Sequence, residues 1–372
     1  MSARCIAGAL VVAALVLPGP AVAAEVCPGT EAPTVAQAAP NARLNEQFTR
    51  YGNSGDGWTG GDSTYSARLP GGRELWMFSD TFLGPITAPT RPPSAKLVNN
   101  SFVVQRGSHM RTVLGGTKTD PAALVTPSEP GHWYWLGAGT VHGSTLEQTI
   151  HEWQRTGPGV WDFAWVRNVL ATFSTHRLDK PATITPLPSS ANIEWTSWIA
   201  RDRGMTYVYG VEDLGAHKYM HIARVRGSLT GRWEYYAGNG TWSDHETDSV
   251  RVLDGVSNEY SVHRLRNGLY MLTTMDTSVA FSNEMVAYFA CSPTGPFVAR
   301  TTLYTTPETG LFGSYGDPDI YTYNAHAHPE LSDPTNVVIS YNVNSFDATI
   351  GGDHYKDVSI YRPRFVDVRL SG

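Results

Sequence analysis

Cysteine is scarce in this 372-residue sequence: only Cys5, Cys27 and Cys291. Charge is scarce as well. Charged residues make up 17% of the chain, with 34 acidic against 28 basic side chains and a formal net charge of −6. There is no basic patch, which argues against nucleic acid as a partner. Beyond the N-terminal segment no apolar run approaches the ~20 residues of a membrane helix, which argues against a membrane partner. Also missing are a Gly-x-Ser-x-Gly elbow, a His-Glu-x-x-His helix, a P-loop and a dinucleotide fingerprint. Serine-hydrolase, zinc-protease and nucleotide chemistry therefore have no motif to rest on.

The N-terminus reads as a targeting segment. Arg4 supplies a positive start, Ile6 to Leu17 is almost wholly apolar, and Ala21-Val22-Ala23 offers a small-x-small cleavage signal. A secretory signal peptide is predicted over 1–24, and the mature protein is expected to be exported, extracellular and monomeric. Ala24-Glu25-Val26 lacks the small residue that a lipidation signal needs just before Cys27. Cleavage removes Cys5 and leaves Cys27 and Cys291. In an exported chain they form one disulfide or remain two free thiols.

Aromatics are plentiful, at 11% of the chain with 11 Trp. Flat apolar faces suit stacking on sugar rings, although strands use aromatics in any case. Pro28 to Pro40 is rich in Ala, Pro and Thr and is followed by one short helical pattern, Asn41 to Arg50. The stretch 25–50 is thus expected to be a flexible lead-in to a domain over 51–372.

From there on, apolar and polar residues alternate in short runs punctuated by Gly, Pro, Asn and Asp. The runs group into units. The first holds Asp62–Leu69, Glu74–Asp80, Ser101–Arg106 and Arg111–Leu114. The second holds Trp133–Gly137, Leu146–Arg155, Phe163–Phe173 and Ala182–Leu187. The third holds Trp195–Ala200, Met205–Val211, Tyr219–Val225 and Trp233–Tyr236. The fourth holds Glu259–Leu265, Leu269–Thr274, Val286–Cys291 and Phe297–Tyr304. The fifth holds Tyr321–His328, Val337–Asn342, Asp357–Tyr361 and Phe365–Leu370. A period of roughly 60 residues predicts an all-β fold, a five-bladed β-propeller of four-stranded antiparallel blades. A two-sheet sandwich would explain the strands but not the period.

In such a fold the leading strands converge. Asp62 opens the first unit, and Asp80 ends the strand that returns after Pro70-Gly71-Gly72, so both lie at the open end of one hairpin. Paired carboxylates in a cleft are the equipment of a glycosidase. The plainer alternative is that Asp62 closes a turn and Asp80 caps the next one. Gly60 and Gly61 would let a ligand approach the backbone. Glu259, at the start of the fourth unit, projects toward the same axis as a third candidate catalytic carboxylate. Glu147, Glu152, Glu194, Glu212 and Asp213 are further carboxylates near that end. Trp58 and Trp135 are candidates for sugar stacking, and Asn100, His326 and His328 for hydroxyl contacts. His326 and His328 share one strand face by period two. One His-x-His without a distant third ligand is a weak metal signal, and a packed pair is the plain reading. The chemistry requires no cofactor. A Ca2+ or other metal ion on the axis is compatible with it.

Three runs carry a resemblance: Gly57-Trp58-Thr59-Gly60-Gly61-Asp62-Ser63-Thr64-Tyr65-Ser66, Leu69-Pro70-Gly71-Gly72-Arg73, and Phe78-Ser79-Asp80-Thr81-Phe82-Leu83-Gly84. With Val98-Asn99-Asn100-Ser101, Ser292-Pro293-Thr294-Gly295-Pro296-Phe297 and Ala325-His326-Ala327-His328-Pro329-Glu330-Leu331, the chain resembles secreted actinobacterial five-bladed propellers classed as domains of unknown function. That group is similar to the endo-acting D-arabinanases of glycoside hydrolase family 183. The resemblance implies catalytic roles for Asp62 and Asp80, and a polysaccharide or oligosaccharide substrate rich in furanose, such as arabinan. Ser79-Asp80-Thr81 stands where that family often has Gly-Asp-Thr. A carbohydrate-binding propeller without catalysis is the alternative function.

Overall fold

Short runs bounded by Gly, Pro and Asn become strands; inner ones such as Tyr270–Met275 are buried on both faces, while outer ones such as Val298–Thr305 are largely exposed or half-buried. The structure is a computed structural model that describes residues 25–333 and 335–371; the signal peptide expected over 1–24 lies outside the described residues. The fold is all-β. The first sheet joins Tyr65–Leu69, Arg73–Phe78, Ser101–Arg106 and His109–Val113. The second joins His132–His142, Thr145–Arg155, Phe163–Ser174 and Thr183–Pro186. The third joins Glu194–Asp202, Met205–Asp213, Lys218–Arg226 and Trp233–Gly238, and adds Thr241–Ser243 and Leu253–Asp254. The fourth joins Ser261–Arg264, Tyr270–Met275, Glu284–Ala290 and Val298–Thr305. All pairings are antiparallel.

The fifth sheet departs from the sequence reading. It joins Ile320–Ala327, Asn336–Ser345 and Pro363–Ser371, and its outer strand is Thr34–Pro40 from the other end of the chain. Asp357–Tyr361, expected as a strand, is loop and turn. The segment expected to be a flexible lead-in is therefore structured. Val366 pairs with Pro40 and Ser371 with Thr34. The physical reason is long-range: the exposed edge of Pro363–Ser371 needs a partner, and no local pattern announces which segment supplies it. A disulfide between Cys27 and Cys291 ties the same segment to the end of the third strand of the fourth sheet.

The one substantial helix among the described residues, Ala42–Ser54, begins where Asn41 Oδ1 accepts from Leu44 N (2.9 Å) and ends at Gly55 in the left-handed region. It runs past the expected end at Arg50 because nothing stops it until Gly55. Its Phe48 packs edge-on against Trp76 (5.0 Å) and Trp58 (5.4 Å) and lies 5.1 Å from Phe365. All four rings are buried, each contributing on the order of 1.5–3 kcal/mol by removal from water. Among the described residues no helix is long and apolar enough to cross a membrane.

The leading strands of successive sheets touch in chain order. The leading strand of the fifth sheet lies against that of the first: the His326 ring stacks on Tyr65 at 4.5 Å. Antiparallel order then places the start of every leading strand, the end of every second strand and the loop that follows at one common end. Asp62, Asp80, Glu259, Tyr323 and Tyr361 all fall there.

Candidate functional site

Asp62 and Asp80 meet through their backbones. Asp62 N donates to Asp80 O, and Ser79 N donates to Asp62 O, each at 3.2 Å. Both side chains are partly exposed at the common end of the sheets. Asp62 Oδ2 accepts two phenolic hydrogens, from Tyr323 and from Tyr361, both at 2.8 Å. Asp80 Oδ1 accepts from Trp135 Nε1 (2.8 Å) and from Asn99 Nδ2 (3.0 Å). Behind Tyr323 a relay continues: Asn344 Nδ2 donates to its hydroxyl (3.0 Å), and His354 Nε2 donates to Asn344 Oδ1 (2.8 Å). Burial holds the His354 imidazole down at about 4, so it is neutral and has a hydrogen to give.

The electrostatics follow from burial and crowding. Burial first, then the charge of Asp80, pushes Asp62 up to about 7 against the pull of its two tyrosine hydrogen bonds. Burial also raises Asp80, opposed by the hydrogens from Trp135 and Asn99. The like charge of Asp80 thus adds to burial in disfavouring the Asp62 carboxylate.

Glu259 joins them. Its Oε1 accepts from the Ser63 hydroxyl (2.7 Å), and burial, reinforced by the charge of Asp62, holds it well above the carboxylate range. Its Oε2 faces His326 Nδ1 at 3.7 Å. His326 Nε2 donates to Thr64 O (3.2 Å), which leaves Nδ1 as the acceptor of a neutral ring, and burial lowers this histidine to about 4. At 3.7 Å the two atoms do not hydrogen-bond, and both are buried without a partner among the described residues; a protonated Glu259 beside a neutral His326 at least places no charge there. The remaining carboxylates named from sequence are bound elsewhere: Glu147 by Leu229 N, Glu152 by His132 and Arg167, Glu194 by His151, Glu212 by Arg251, and Asp213 by Lys218 and Asn258.

Backbone strain gathers around Asp62. Ser63 (φ 66°) and Thr64 (φ 65°) follow it in the left-handed region, where a β-branched residue is an outlier. Asn324 (φ 57°) follows Tyr323, and Tyr361 itself sits at φ 77°. Each such residue costs roughly 1–3 kcal/mol, so the surroundings must over-determine it. For Thr64 they do: Asn342 Nδ2 donates to its hydroxyl at 2.9 Å.

The glycines before Asp62 serve the protein backbone instead of a ligand. A Cβ on Gly60 would sit 2.6 Å from Tyr361 O, and one on Gly61 would sit 3.1 Å from Asp80 O. Gly60→Ala is expected to cost about 1–3 kcal/mol, because the clash is with backbone that cannot swing away. It should also displace the Tyr361 hydroxyl from Asp62. Thermal melting and activity assays should fall together; an unchanged melting temperature would refute the close packing.

Several sequence candidates land in the interior. Trp58 is fully buried between Phe48 and Phe78, so it is core and offers no face to a sugar. Asn100 is buried and stitches a loop, donating to Val125 O (2.8 Å) and Tyr134 O (2.9 Å). His326 and His328 are fully buried, and His328 bonds Ser66 and Ser340, so neither reaches a substrate hydroxyl. Trp135 stays at the mouth beside Trp153 (5.2 Å) and Phe163 (5.3 Å). The residues missed from sequence are Asn99, Ser63, Tyr361, Asn344 and His354. For metals, Asp317, Asp319 and Asp353 bring ligand oxygens within 4.8 Å of one another, and Lys356 already pairs with Asp353 at 3.0 Å.

Residues 45–370 match the family described as a domain of unknown function, DUF5005. No curated protein matches the sequence. Among solved structures, a Bacteroides ovatus protein assigned provisionally as a hydrolase superposes with a TM-score of 0.74. It is 21% identical, over 89% of this chain and 90% of that one, and shares the fold. An α-L-arabinofuranosidase from Podospora anserina (TM-score 0.46, 12% identity, 86% and 93% covered) and a GH43_1 enzyme from Xanthomonas citri (TM-score 0.48, 12% identity, 91% and 91% covered) are more distant.

Proposed function

Taking as premise that this chain belongs to the DUF5005 family, we propose that it is a secreted glycoside hydrolase on a five-bladed β-propeller. Its substrate is a furanose-rich polysaccharide such as arabinan. The observation that carries this is the Asp62–Asp80 pair, joined backbone to backbone in an open mouth, with phenols on one carboxyl and an indole on the other. Export is supported by the Cys27–Cys291 disulfide, a bond that persists in oxidising compartments. The substrate class rests on the resemblance of the two-aspartate segment to the D-arabinanases.

Asp62 is the general acid. Its Oδ1 is buried without a hydrogen-bond partner among the described residues, so ionisation would leave a bare charge there. Asp80, with two N–H donors on Oδ1, is the member that ionises first. In the reaction Asp62 gives its proton to the departing glycosidic oxygen as the bond to the anomeric carbon breaks. Asp80 either attacks that carbon or takes a proton from the water that does. Glu259, held neutral, keeps Ser63 and thereby the Asp62 turn in place.

The deciding experiment is reducing-sugar release from arabinan, arabinogalactan, xylan and galactan. Release from one polymer supports the reading. Polymer binding without release leaves a binding module.

Tyr361→Phe tests the acid assignment. Its hydrogen bond favours the Asp62 carboxylate, so removing it raises the Asp62 pKa. The limb of the pH–rate profile on which the acid loses its proton, near 7, should move about one pH unit upward. A limb that moves downward, or stays, assigns the acid elsewhere.

A further inference from the structure

We propose that Phe281 and Phe346, backed by the buried ring of Tyr321, form a second sugar-stacking subsite, continuous with the carboxylate pair on the Asp62 side, that holds a neutral sugar unit beyond the reacting bond. The inference rests on the glycosidase reading above.

The rings form one cluster. Phe281 lies 4.7 Å from Tyr321 and 4.9 Å from Phe346, and Tyr321 stacks on Phe346 at 4.5 Å. Tyr321 also lies 5.5 Å from Tyr323, whose hydroxyl holds Asp62. The cluster thus begins one ring away from the candidate acid. It is also open: Phe281 is 51% and Phe346 45% exposed. Burying either ring in the protein core would have been the ordinary outcome.

Phe281 is held at φ 53°, a conformation that is an outlier for a bulky side chain. Strain that keeps an aromatic ring in water marks a functional position better than a packing one.

The occupant is identified by shape and charge. Three acidic groups near the cluster are paired, Asp276 (3.3 Å) and Glu284 (3.0 Å) with Arg300 and Asp347 with Lys356 (3.7 Å), whereas Asp319, exposed and bonded through its backbone oxygen to Phe346 N, has no ion pair among the described residues. What remains is an apolar face bordered by one carboxylate, Asp319, which would repel an anionic ligand. That suits the flat C–H face of an uncharged sugar and does not select for an ionic ligand.

The test is affinity electrophoresis of wild type, Phe281→Ala, Phe346→Ala and Phe281→Trp in native gels containing soluble arabinan, xylan or galactan. Each alanine variant should bind the retarding polymer about tenfold more weakly, while Phe281→Trp is retarded like wild type. Phe346 lies outside the strained loop, so its variant separates lost stacking from a relaxed backbone. Melting temperatures should be unchanged. If wild type and both alanine variants are retarded equally, the subsite is refuted and the glycosidase reading stands. If sugar is released but wild type is not retarded, the subsite is again refuted alone. If wild type neither binds nor cleaves any polymer, both readings fall.

Discussion

Asp62→Asn and Asp80→Asn should each lower kcat on the cleaved polysaccharide by about a thousandfold, with the fold intact. Proton transfer by a positioned group contributes roughly 10²–10⁴ in rate, and an amide can neither give nor take that proton. The amide oxygen still accepts: at 62 it keeps the hydrogens of Tyr323 and Tyr361, and at 80 those of Trp135 and Asn99. Each substitution also removes one of two adjacent carboxyls whose ionisation the fold disfavours, so melting temperatures should hold or rise. The double variant should be little worse than either single one, because the two act as a unit. Steady-state rates beside calorimetric melting separate these outcomes. Full activity in either single variant would end the paired-carboxylate mechanism.

Removing the disulfide should produce the largest loss of stability from any change far from the mouth. Cys27→Ser or Cys291→Ser opens a loop spanning 264 residues in sequence. Loops of this length gain the most from cross-linking, and native disulfides are worth about 2–5 kcal/mol. The melting temperature should fall by roughly 4–10 °C, with activity at low temperature retained. Scanning calorimetry with and without reductant measures this; no shift would mean that Thr34–Pro40 holds the N-terminal segment unaided.

The hairpin from Tyr65 to Phe78 is legible in the sequence because Pro70-Gly71-Gly72 separates two alternating runs. That alone places Asp62 and Asp80 at one end, and the structure joins them there. Glu259 is legible for a similar reason, as a residue just ahead of a leading strand, which in the structure begins at Ser261. Choosing between Asn99 and Asn100 is beyond pattern reading. Neighbours in sequence face opposite ways, and only tertiary packing sends Asn100 into a loop and Asn99 to Asp80. The histidines mislead because a polar pair on a strand looks like a site until its burial is known. Tyr361 has no local signal: its role depends on a left-handed turn that brings the last sheet over the first. Trp58 misleads for the opposite reason, since a motif can be diagnostic of a family through its core as well as its chemistry.

The mixed parentage of the fifth sheet has a consequence in time. A chain made from its N-terminus must hold Thr34–Pro40 unmatched until Pro363–Ser371 has been synthesised. Tyr361, which completes the hold on Asp62, arrives only two residues before that late strand. Asp62 therefore acquires its second phenol late in synthesis. On the glycosidase reading proposed above, the paired-carboxylate site is complete only once Thr34–Pro40 and Pro363–Ser371 have met.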